Sequence, residues 1–373
     1  RSTLSSSSAA SDVYKRQVKE RSGYPLPAET LGFQGRSYGL EKTSAGYNRR
    51  SPESSDAADE VHYLIQEEGR VFVMCGSSAR KVKRGHANLL GGRAIRYELL
   101  GLSAVEIGKS FNLTQILNSG PIPSHYLSEK PQRMLQSYVD DYLKEEILQE
   151  GLIRSLPVFS DFLRVAAIGD TETVNLSNIA RESGVSANTV RDHYGILVDT
   201  LLGAFLPAYT RRPKRRSISA PKFYFRDVGI VNYLSKRGTV QPGSELFGKA
   251  FENWVFNEIS IHSRYSEKFY DISYWRLTTG IEVDFILGAA EIAVEAKAKE
   301  KITINDLKGL RQFKQEYPGV KHCIVVSLEK QSRLTEDGIW IVPYLEFIQK
   351  LWAGEWKINC HTDNHRDKNC RAR

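Results

Sequence analysis

The sequence predicts an α/β protein of several domains, and three patterns carry that prediction. The C-terminal third alternates apolar strand patterns with amphipathic helix patterns, as expected of a sheet covered by helices. Residues 176–190 contain two helix patterns joined by a glycine turn. Residues 132–150 form one long amphipathic helix pattern. At 373 residues the chain is long enough for two or three domains, each with its own core.

Composition narrows the functional classes. No apolar run approaches the ~20 residues that a membrane span needs, so no membrane partner is expected. The four cysteines lack the spacing of zinc sites and of disulfide frameworks, which favours a cytoplasmic protein with reduced thiols. The formal net charge is +8, but residues 1–58 hold nine Lys/Arg against six Asp/Glu and residues 360–373 hold four against two. The 301 residues between them carry only +3, so bulk charge is a poor indicator of nucleic-acid binding.

Both ends of the chain are unlike folded protein. Residues 1–58 contain twelve serines and no helical or strand periodicity, and they are predicted to be an aberrant or disordered segment. Residues 359–373 are polar and aperiodic, and they are predicted to be a disordered or aberrant tail. A wrong reading frame and a genuine flexible tail would each explain these stretches.

Ordered patterns begin near Asp59. Residues 58–68 have the pattern of an amphipathic helix, and residues 70–75 (RVFVMC) have that of a buried strand. The strand pattern ends in Gly76-Ser77-Ser78. Small hydroxyl residues at a strand end suit the sensing of a phosphate, but they also occur at any exit from a strand into a loop.

Residues 71–93 (VFVMCGSSARKVKRGHANLLGGR), with the Leu-Leu-Gly-Leu-Ser of 99–103 and Glu106, resemble bacterial and archaeal AAA-type ATP-binding proteins. Those proteins carry a nuclease-like C-terminal domain of unknown function. The resemblance implies that residues 59–110 are the C-terminal remnant of an ATPase core and that residues 111–169 are its helical lid. It implies a terminal-phosphate sensor at Ser77 or Ser78, and phosphate or subunit-interface contacts at Arg80 and Arg93.

The chain departs from that family in its nucleotide site. It has no usable Walker A loop and no apolar strand ending in paired acids. The nearest match, residues 243–250, lacks the Ser/Thr that holds magnesium and follows Pro242 instead of a strand. We therefore expect that ATP is a cofactor of the intact parent only, and that the N-terminal half of the ATPase is missing here.

Residues 170–240 predict a winged helix-turn-helix domain. Ala180 is small where two helices would cross, Gly184 permits the tight turn, and Ser186 is placed to cap the second helix. Residues 206–209 and 222–225 would form the wing, joined by a basic stretch. The candidate nucleic-acid contacts are the second-helix residues Asn188, Thr189 and Arg191 and the wing residues Arg211, Arg212, Arg215 and Arg216. Winged helices also serve as protein-binding or spacer domains, so DNA and a protein remain alternative partners.

Residues 246–350 predict a second α/β domain. A helix at 246–262 comes first, followed by three strands, a helix and further strands. The predicted spans are 271–277, 282–287 and 291–298 for the strands, 305–317 for the helix, and 321–328 and 339–342 for the last strands.

This second domain carries the chemistry. Asp284, Glu295 and Lys297 form an Asp-x10-Glu-x-Lys pattern on adjacent strands, and Glu295 and Lys297 share a face because side chains repeat every second residue. The pattern and the element order resemble the core of restriction-endonuclease-like nucleases. The resemblance implies that Asp284 and Glu295 bind Mg²⁺ or Mn²⁺, that Lys297 orients a water, and that Glu252 is an additional acid.

Three functions from different classes remain open on these grounds. The first is an ATP-driven protein, in its intact form, with a nuclease-like domain that acts on or near nucleic acid. The second is a metal-dependent nuclease that is independent of ATP. The third is a DNA- or protein-binding regulator whose nuclease fold is catalytically dead. Charged residues on an ordinary amphipathic sheet would produce the same pattern without any activity, and the oligomeric state is left open.

Overall fold

The structure is a computed structural model that describes residues 31–32, 66–67, 74–75, 97–143, 147–148, 153, 155–210 and 219–358. The chain divides into two compact units, one of residues 1–99 with 196–201 and one of residues 100–195 with 202–373. The described residues form helices and a mixed sheet, so the α/β class is confirmed.

The described part of the first unit is small. Strand β1 (Leu31–Gly32) pairs in parallel with strand β2 (Met74–Cys75), and β2 is the end of the strand predicted at 70–75. Of the helix predicted at 58–68, residues 66–67 are described and are helical. The phosphate-contact candidates Ser77, Ser78, Arg80 and Arg93 lie outside the described residues.

The helices of the chain are mostly short. Their bounds are α1 Ala104–Ile107, α2 Leu113–Ser119, α3 Pro123–Tyr126, α4 Pro131–Ser137, α5 Leu156–Ile168, α6 Leu176–Ser183, α7 Ala187–Asp199, α8 Val228–Leu234, α9 Glu245–Tyr265, α10 Lys308–Glu316 and α11 Tyr344–Ala353. The helix predicted at 132–150 is not a regular α-helix throughout, since α4 passes into a π-helical stretch at Tyr138–Leu143. Within the described residues, no helix combines the length and apolarity needed to cross a membrane.

The turn between α6 and α7 forms as the sequence predicts. Gly184 has a left-handed backbone (φ 67°, ψ 29°), which glycine adopts without strain. The Ser186 hydroxyl accepts a hydrogen bond of 3.1 Å from the amide of Thr189, so it caps α7. Ala180 is buried, as expected of a small residue at a helix crossing.

The predicted wing is shifted toward the N-terminus. Strand β3 (Gly203–Leu206) pairs antiparallel with strand β4 (Lys222–Phe225), so the prediction that residues 206–209 form the first wing strand was wrong. Pro207 follows β3 and has no amide to continue the ladder. Instead, the Pro207 carbonyl accepts a hydrogen bond of 2.9 Å from the Tyr274 amide, and the Tyr209 amide donates a hydrogen bond to the Tyr274 carbonyl. The segment after β3 thus pairs with the C-terminal sheet.

That sheet has six strands in the order β5-β6-β7-β8-β10-β9. Its strands are β5 Ile272–Arg276, β6 Glu282–Leu287, β7 Ile292–Lys297, β8 His322–Ser327, β9 Arg333–Leu334 and β10 Ile339–Pro343. The β7–β8 and β8–β10 pairs are parallel and the others are antiparallel. Every strand predicted in this region is found within one residue of its expected ends, and β9 is additional.

Helices cover both faces of the sheet. One face packs against α10 through an apolar cluster that includes Trp275, Val283, Leu310 and Phe313, all fully buried. On the other side, Phe256 of α9 lies 6.2 Å from Phe285 between ring centroids. The 21-residue α9 is buried along most of its length, so its polar residues are held in fixed positions next to β4 and the sheet.

A β-bulge lies in β6. Ser273 pairs with Ile286 and Trp275 pairs with Val283, which leaves Asp284 and Phe285 together opposite the single residue Tyr274. A bulge of this kind redirects a side chain and is often found next to functional sites. Strict alternation of side chains along β6 therefore does not hold at Asp284.

Candidate functional site

Asp284 and Glu295 lie next to each other at one end of the β6–β7 ladder. The last regular pair of that ladder is Phe285 with Val294, and one further step in the same register places Asp284 opposite Glu295. The Ala296 amide donates a hydrogen bond of 2.9 Å to Asp284 Oδ2. Asp284 and Glu295 are 5% and 6% exposed, so their carboxylates are held by the sheet and screened little by water.

Lys297 completes the predicted set. Its Nζ lies 2.6 Å from Glu295 Oε1 and 3.8 Å from Asp284 Oδ2. The lysine side chain is 29% exposed, so it forms the solvent-facing side of this group. The structure therefore brings Asp284, Glu295 and Lys297 together, as the sequence pattern predicts.

Glu252 approaches the same region from α9. Its Oε1 accepts a hydrogen bond of 2.6 Å from the Tyr224 hydroxyl and lies 3.2 Å from Lys222 Nζ. Both partners belong to β4, for which the sequence pattern predicted only a role as a wing strand. Their signal was present in the sequence, because Lys222 is a lone charge beginning the otherwise apolar strand Lys-Phe-Tyr-Phe.

Glu282 is the fourth carboxylate. It forms an ion pair with Lys222, and its Oε2 lies 3.4 Å from Arg276 Nη1. We refer to Glu252, Glu282, Asp284 and Glu295 with Lys222 and Lys297 as the carboxylate–lysine cluster. Four carboxyl groups face two lysines, with Arg276 as a third cation at the rim, so the cluster holds one more acid than it holds cations.

Burial and neighbouring negative charge raise the pKa values of two of the carboxyl groups. Burial, and then the charge of Asp284, raise the pKa of Glu295 to about 8 in spite of Lys297. Burial also raises the pKa of Glu252, although Lys222 and the Tyr224 hydroxyl oppose the rise. At neutral pH Glu295 therefore retains a proton for much of the time in the metal-free chain.

The lysines respond in the opposite sense. Burial alone would lower the pKa of Lys297, but Asp284 and Glu295 outweigh it and raise the pKa. Burial would likewise lower the pKa of Lys222, and Glu252, Asp284 and Glu282 raise it. Both lysines are therefore charged at neutral pH.

A ready-made metal cage is absent from the described part of the chain. No group of three or more His, Cys, Asp or Glu side chains there is arranged to hold a metal ion. Any cation at Asp284 and Glu295 would complete its coordination with backbone oxygen or water.

The predicted nucleic-acid residues of α7 lie on its surface. Asn188 and Arg191 are exposed and Thr189 is half-buried. Arg191 Nη1 donates to Asn188 Oδ1 over 3.2 Å, and the hydroxyls of Thr189 and Ser186 are 2.9 Å apart. The wing residues Arg211, Arg212, Arg215 and Arg216 lie outside the described residues.

Comparison with known proteins matches two segments to protein families. Residues 110–241 match the model of a domain of unknown function, DUF8612, and residues 247–347 match a second one, DUF4143. The first match runs across both the predicted helical lid and the predicted winged helix. The second covers the sheet, α10 and all but the first two residues of α9, so Lys222 and Tyr224 belong to one segment and the four carboxylates to the other.

Two curated relatives are similar to the chain. They are uncharacterized proteins of Mycobacterium bovis and Mycobacterium tuberculosis, each 22% identical over 218 residues. The aligned region is 57% of this chain and 48% of either relative, so the chain spans about half the length of the curated relatives it matches. No solved structure gives a significant match.

Proposed function

We propose that the carboxylate–lysine cluster is a divalent-metal site that hydrolyses a phosphodiester bond in nucleic acid. The observation that carries the proposal is the position of Lys297 Nζ, within ion-pair distance of both Glu295 and Asp284. Two acids and a lysine that converge in this way can hold a cation, a water and a phosphate oxygen side by side.

The residues fit Mg²⁺ or Mn²⁺. Mg²⁺ is usually bound through one or two carboxylates and keeps several waters, so Asp284 and Glu295 suffice as protein ligands. Among the described residues, Glu295 Oε2 is a buried oxygen without a hydrogen-bond partner, and a cation would provide one. The cluster has more carboxyl groups than lysines, and a divalent ion would offset the negative charge of these groups when they are ionised.

Each residue then has a defined task. A bound ion would lower the pKa of a coordinated water and offset charge on the phosphate. Lys297, the most exposed of the three, is placed to donate a hydrogen bond to that water or to a phosphate oxygen. Glu295 must lose its proton to bind a cation, so metal affinity is expected to rise with pH toward 8.

The cluster can be tested by cleavage assays on the full chain. With Mg²⁺ or Mn²⁺ and single- or double-stranded DNA or RNA, Asp284→Asn and Lys297→Met are expected to lower cleavage by more than about 100-fold, because the first weakens a metal ligand and the second removes the cation beside the water and the phosphate. Lys299→Met is the matched control, since Lys299 pairs with Asp306 at 2.6 Å just beyond β7. Cleavage that persists in Asp284→Asn and Lys297→Met would exclude this cluster as the active site.

A second candidate is a binding protein with a catalytically silent site. It is favoured by the 2.6 Å contact through which Lys297 already neutralises Glu295, and by the absence of a three-ligand group among the described residues. On this alternative the wild-type chain binds nucleic acid through α7 but cleaves nothing at any metal concentration.

Nucleic-acid contact by the second-helix and wing residues has its own test. Reversing the charge of Arg211, Arg212, Arg215 and Arg216 together is expected to weaken DNA binding at low salt and to reduce the slope of log K against log salt by about 2 to 4. Reversing the exposed Arg133 and Arg164, on α4 and α5, is the control. An unchanged slope in the wing variant would leave a protein partner or a spacer role for this domain.

The intact parent is proposed to be an AAA-type ATP-binding protein. The resemblance at residues 71–106 supports this, and so does the usual occurrence of DUF4143 with ATPase domains. The upstream coding DNA, translated in three frames, is expected to contain a Gly-x4-Gly-Lys-Ser/Thr loop. Its absence from all three frames would contradict the ATPase proposal and leave the cluster unaffected.

A further inference from the structure

Lys222 enters the carboxylate–lysine cluster from outside the domain that supplies the acids. Its Nζ contacts one oxygen of Glu252, on α9, and one oxygen of Glu282, on β6. The Tyr224 hydroxyl donates to the same Glu252 oxygen over 2.6 Å. Two carboxylates on different elements thus converge on a single cationic nitrogen.

The position of this lysine is fixed by the fold. Its side chain is 5% exposed. β4 pairs with β3 on one side, and on the other side residues 171–174 bond to it, with Thr171 donating to the Phe223 carbonyl over 2.9 Å. The Nζ also lies 5.5 Å from the centroid of the Tyr274 ring. Burial of the side chain and pairing of its strand on both sides therefore place the Lys222 ammonium group inside the cluster.

The cluster therefore has two halves that are built alike. In one half Lys297 lies beside Asp284 and Glu295, and in the other Lys222 lies beside Glu252 and Glu282. The first lysine is 29% exposed and can move, whereas the second is buried. Sites that act on phosphodiesters use either one metal ion or two ions about 3.5–4 Å apart.

We propose that Lys222 is a built-in cation that occupies the place of a second metal ion and so restricts this site to one divalent ion. The carboxylates Glu252 and Glu282 would bind that second ion if the lysine were absent. The proposal rests on the proposed function only for the identity of the first ion. Lys222 is accordingly a specificity-determining residue, supplied by the segment at residues 110–241.

The test counts bound Mn²⁺ on the full chain by electron paramagnetic resonance. Wild type is expected to bind one ion, and Lys222→Met is expected to bind two, with the split lines of a spin-coupled Mn²⁺ pair. Lys222→Arg keeps the charge and is expected to bind one. In Lys222→Met, adding Glu252→Gln is expected to return the count to one, because the new site loses a ligand.

Lys249→Met is the matched control. Lys249 pairs with Glu172 at 2.5 Å and links the same two segments, but it lies outside the cluster, so one ion is expected. Should Lys222→Met fail to fold, Lys222→Gln removes the charge and retains a hydrogen-bond donor. A variant lacking the charge that binds no more Mn²⁺ than wild type would overturn the inference.

The two proposals fail in different ways. A wild-type chain that binds no Mn²⁺ contradicts the proposed function. If the wild-type chain binds none and Lys222→Met binds one, the role of Lys222 is upheld without the first ion. If wild type itself binds two ions, Lys222 does not take the place of a metal.

Discussion

Replacing Asn253 by alanine is expected to lower the free energy of unfolding by about 3–5 kcal/mol, measured by urea denaturation at pH 7. Asn253 is fully buried in α9, and its Nδ2 lies 2.9 and 3.1 Å from the two oxygens of Asp170 and 3.0 Å from the carbonyl of Phe225. Asp170 is itself 1% exposed. Truncation at 253 therefore removes the side-chain amide donor from a buried carboxyl group, which is among the most destabilising changes in a core.

Two further variants distinguish the effect of losing these hydrogen bonds from the effect of losing side-chain volume. Asn253→Asp keeps the shape but places a second carboxylate against Asp170, and it is expected to be at least as destabilising as alanine. Adding Asp170→Asn restores one donor between the two side chains and is expected to recover part of the loss. Asn118→Ala is the control, since Asn118 also bridges backbone groups but is half-buried, and about 1 kcal/mol is expected. Equal losses at Asn253 and Asn118 would contradict the argument.

The same network connects stability to the candidate site. Asn253 binds the carbonyl of Phe225 and Asp170 binds its amide, so both fix the end of β4. β4 carries Lys222 and Tyr224 into the cluster. The adjacent Glu252 on α9 contacts those two side chains. Neighbouring residues of α9 therefore have separate roles: Asn253 fixes the end of β4, and Glu252 pairs with Lys222.

The sequence was sufficient to predict the elements of the C-terminal sheet but not the full composition of its cluster. β6 forms at residues 282–287 as predicted, because an apolar run with turn signals on both sides is a local property. The convergence of Glu295 and Lys297 follows from the alternation of a regular strand, and β7 is regular. The bulge at Asp284 depends on the pairing with β5, which no local pattern specifies.

The contacts of Lys222 could not be predicted either, because they join residues that are far apart in the sequence. Its partners are 30 and 60 residues away, at Glu252 and Glu282, so the pairing depends on how β4 packs against α9 and β6. A charge in an apolar strand indicates only that a buried partner must exist, because a buried lysine without one is costly. The shift of the first wing strand has one local and one long-range cause. Pro207 ends the β3 ladder, and the residues after it pair with β5, which lies far along the chain.

Between pH 6.5 and 8.5 the chain is expected to lose stability as the pH rises, and Asp227→Asn is expected to reduce that loss. Burial raises the pKa of Asp227 to about 7, although the amides of Ile230, Gly229 and Ile122 oppose the rise. A carboxylate with a raised folded pKa contributes stability that is full below its unfolded pKa of about 4 and is lost as the pH passes through 7. Burial raises the pKa of Asp170 to about 7 and that of Glu258 to about 8, so they add to the same loss.

Histidines oppose this loss only near the lower end of the window. Burial lowers the pKa values of His125 and His262 to about 4, so the stability that they contribute is incomplete near their unfolded pKa of about 6.5 and nearly complete about one pH unit above it. His125 Nδ1 lies 4.0 Å from Asp227 Oδ2 and is neutral throughout the window. Wild type and Asp227→Asn carry the same histidines, so the difference between their pH profiles reports the Asp227 carboxylate.

The variant Asp227→Asn isolates the contribution of one of these buried carboxylates. Asp227 Oδ1 accepts bonds from Gly229 and Ile230 and caps α8, and asparagine is an equally good cap, so the helix is retained. The free energy of unfolding of the variant, relative to that of wild type, is expected to increase by about 1–3 kcal/mol between pH 5 and 8.5. A difference in stability that does not depend on pH leaves this increase unchanged. Asp337→Asn is the control, because Arg311 holds the pKa of Asp337 at about 2, so neither folded nor unfolded chain titrates there in this window. Parallel pH profiles for wild type and Asp227→Asn would show that the Asp227 carboxylate is already ionised in the folded chain.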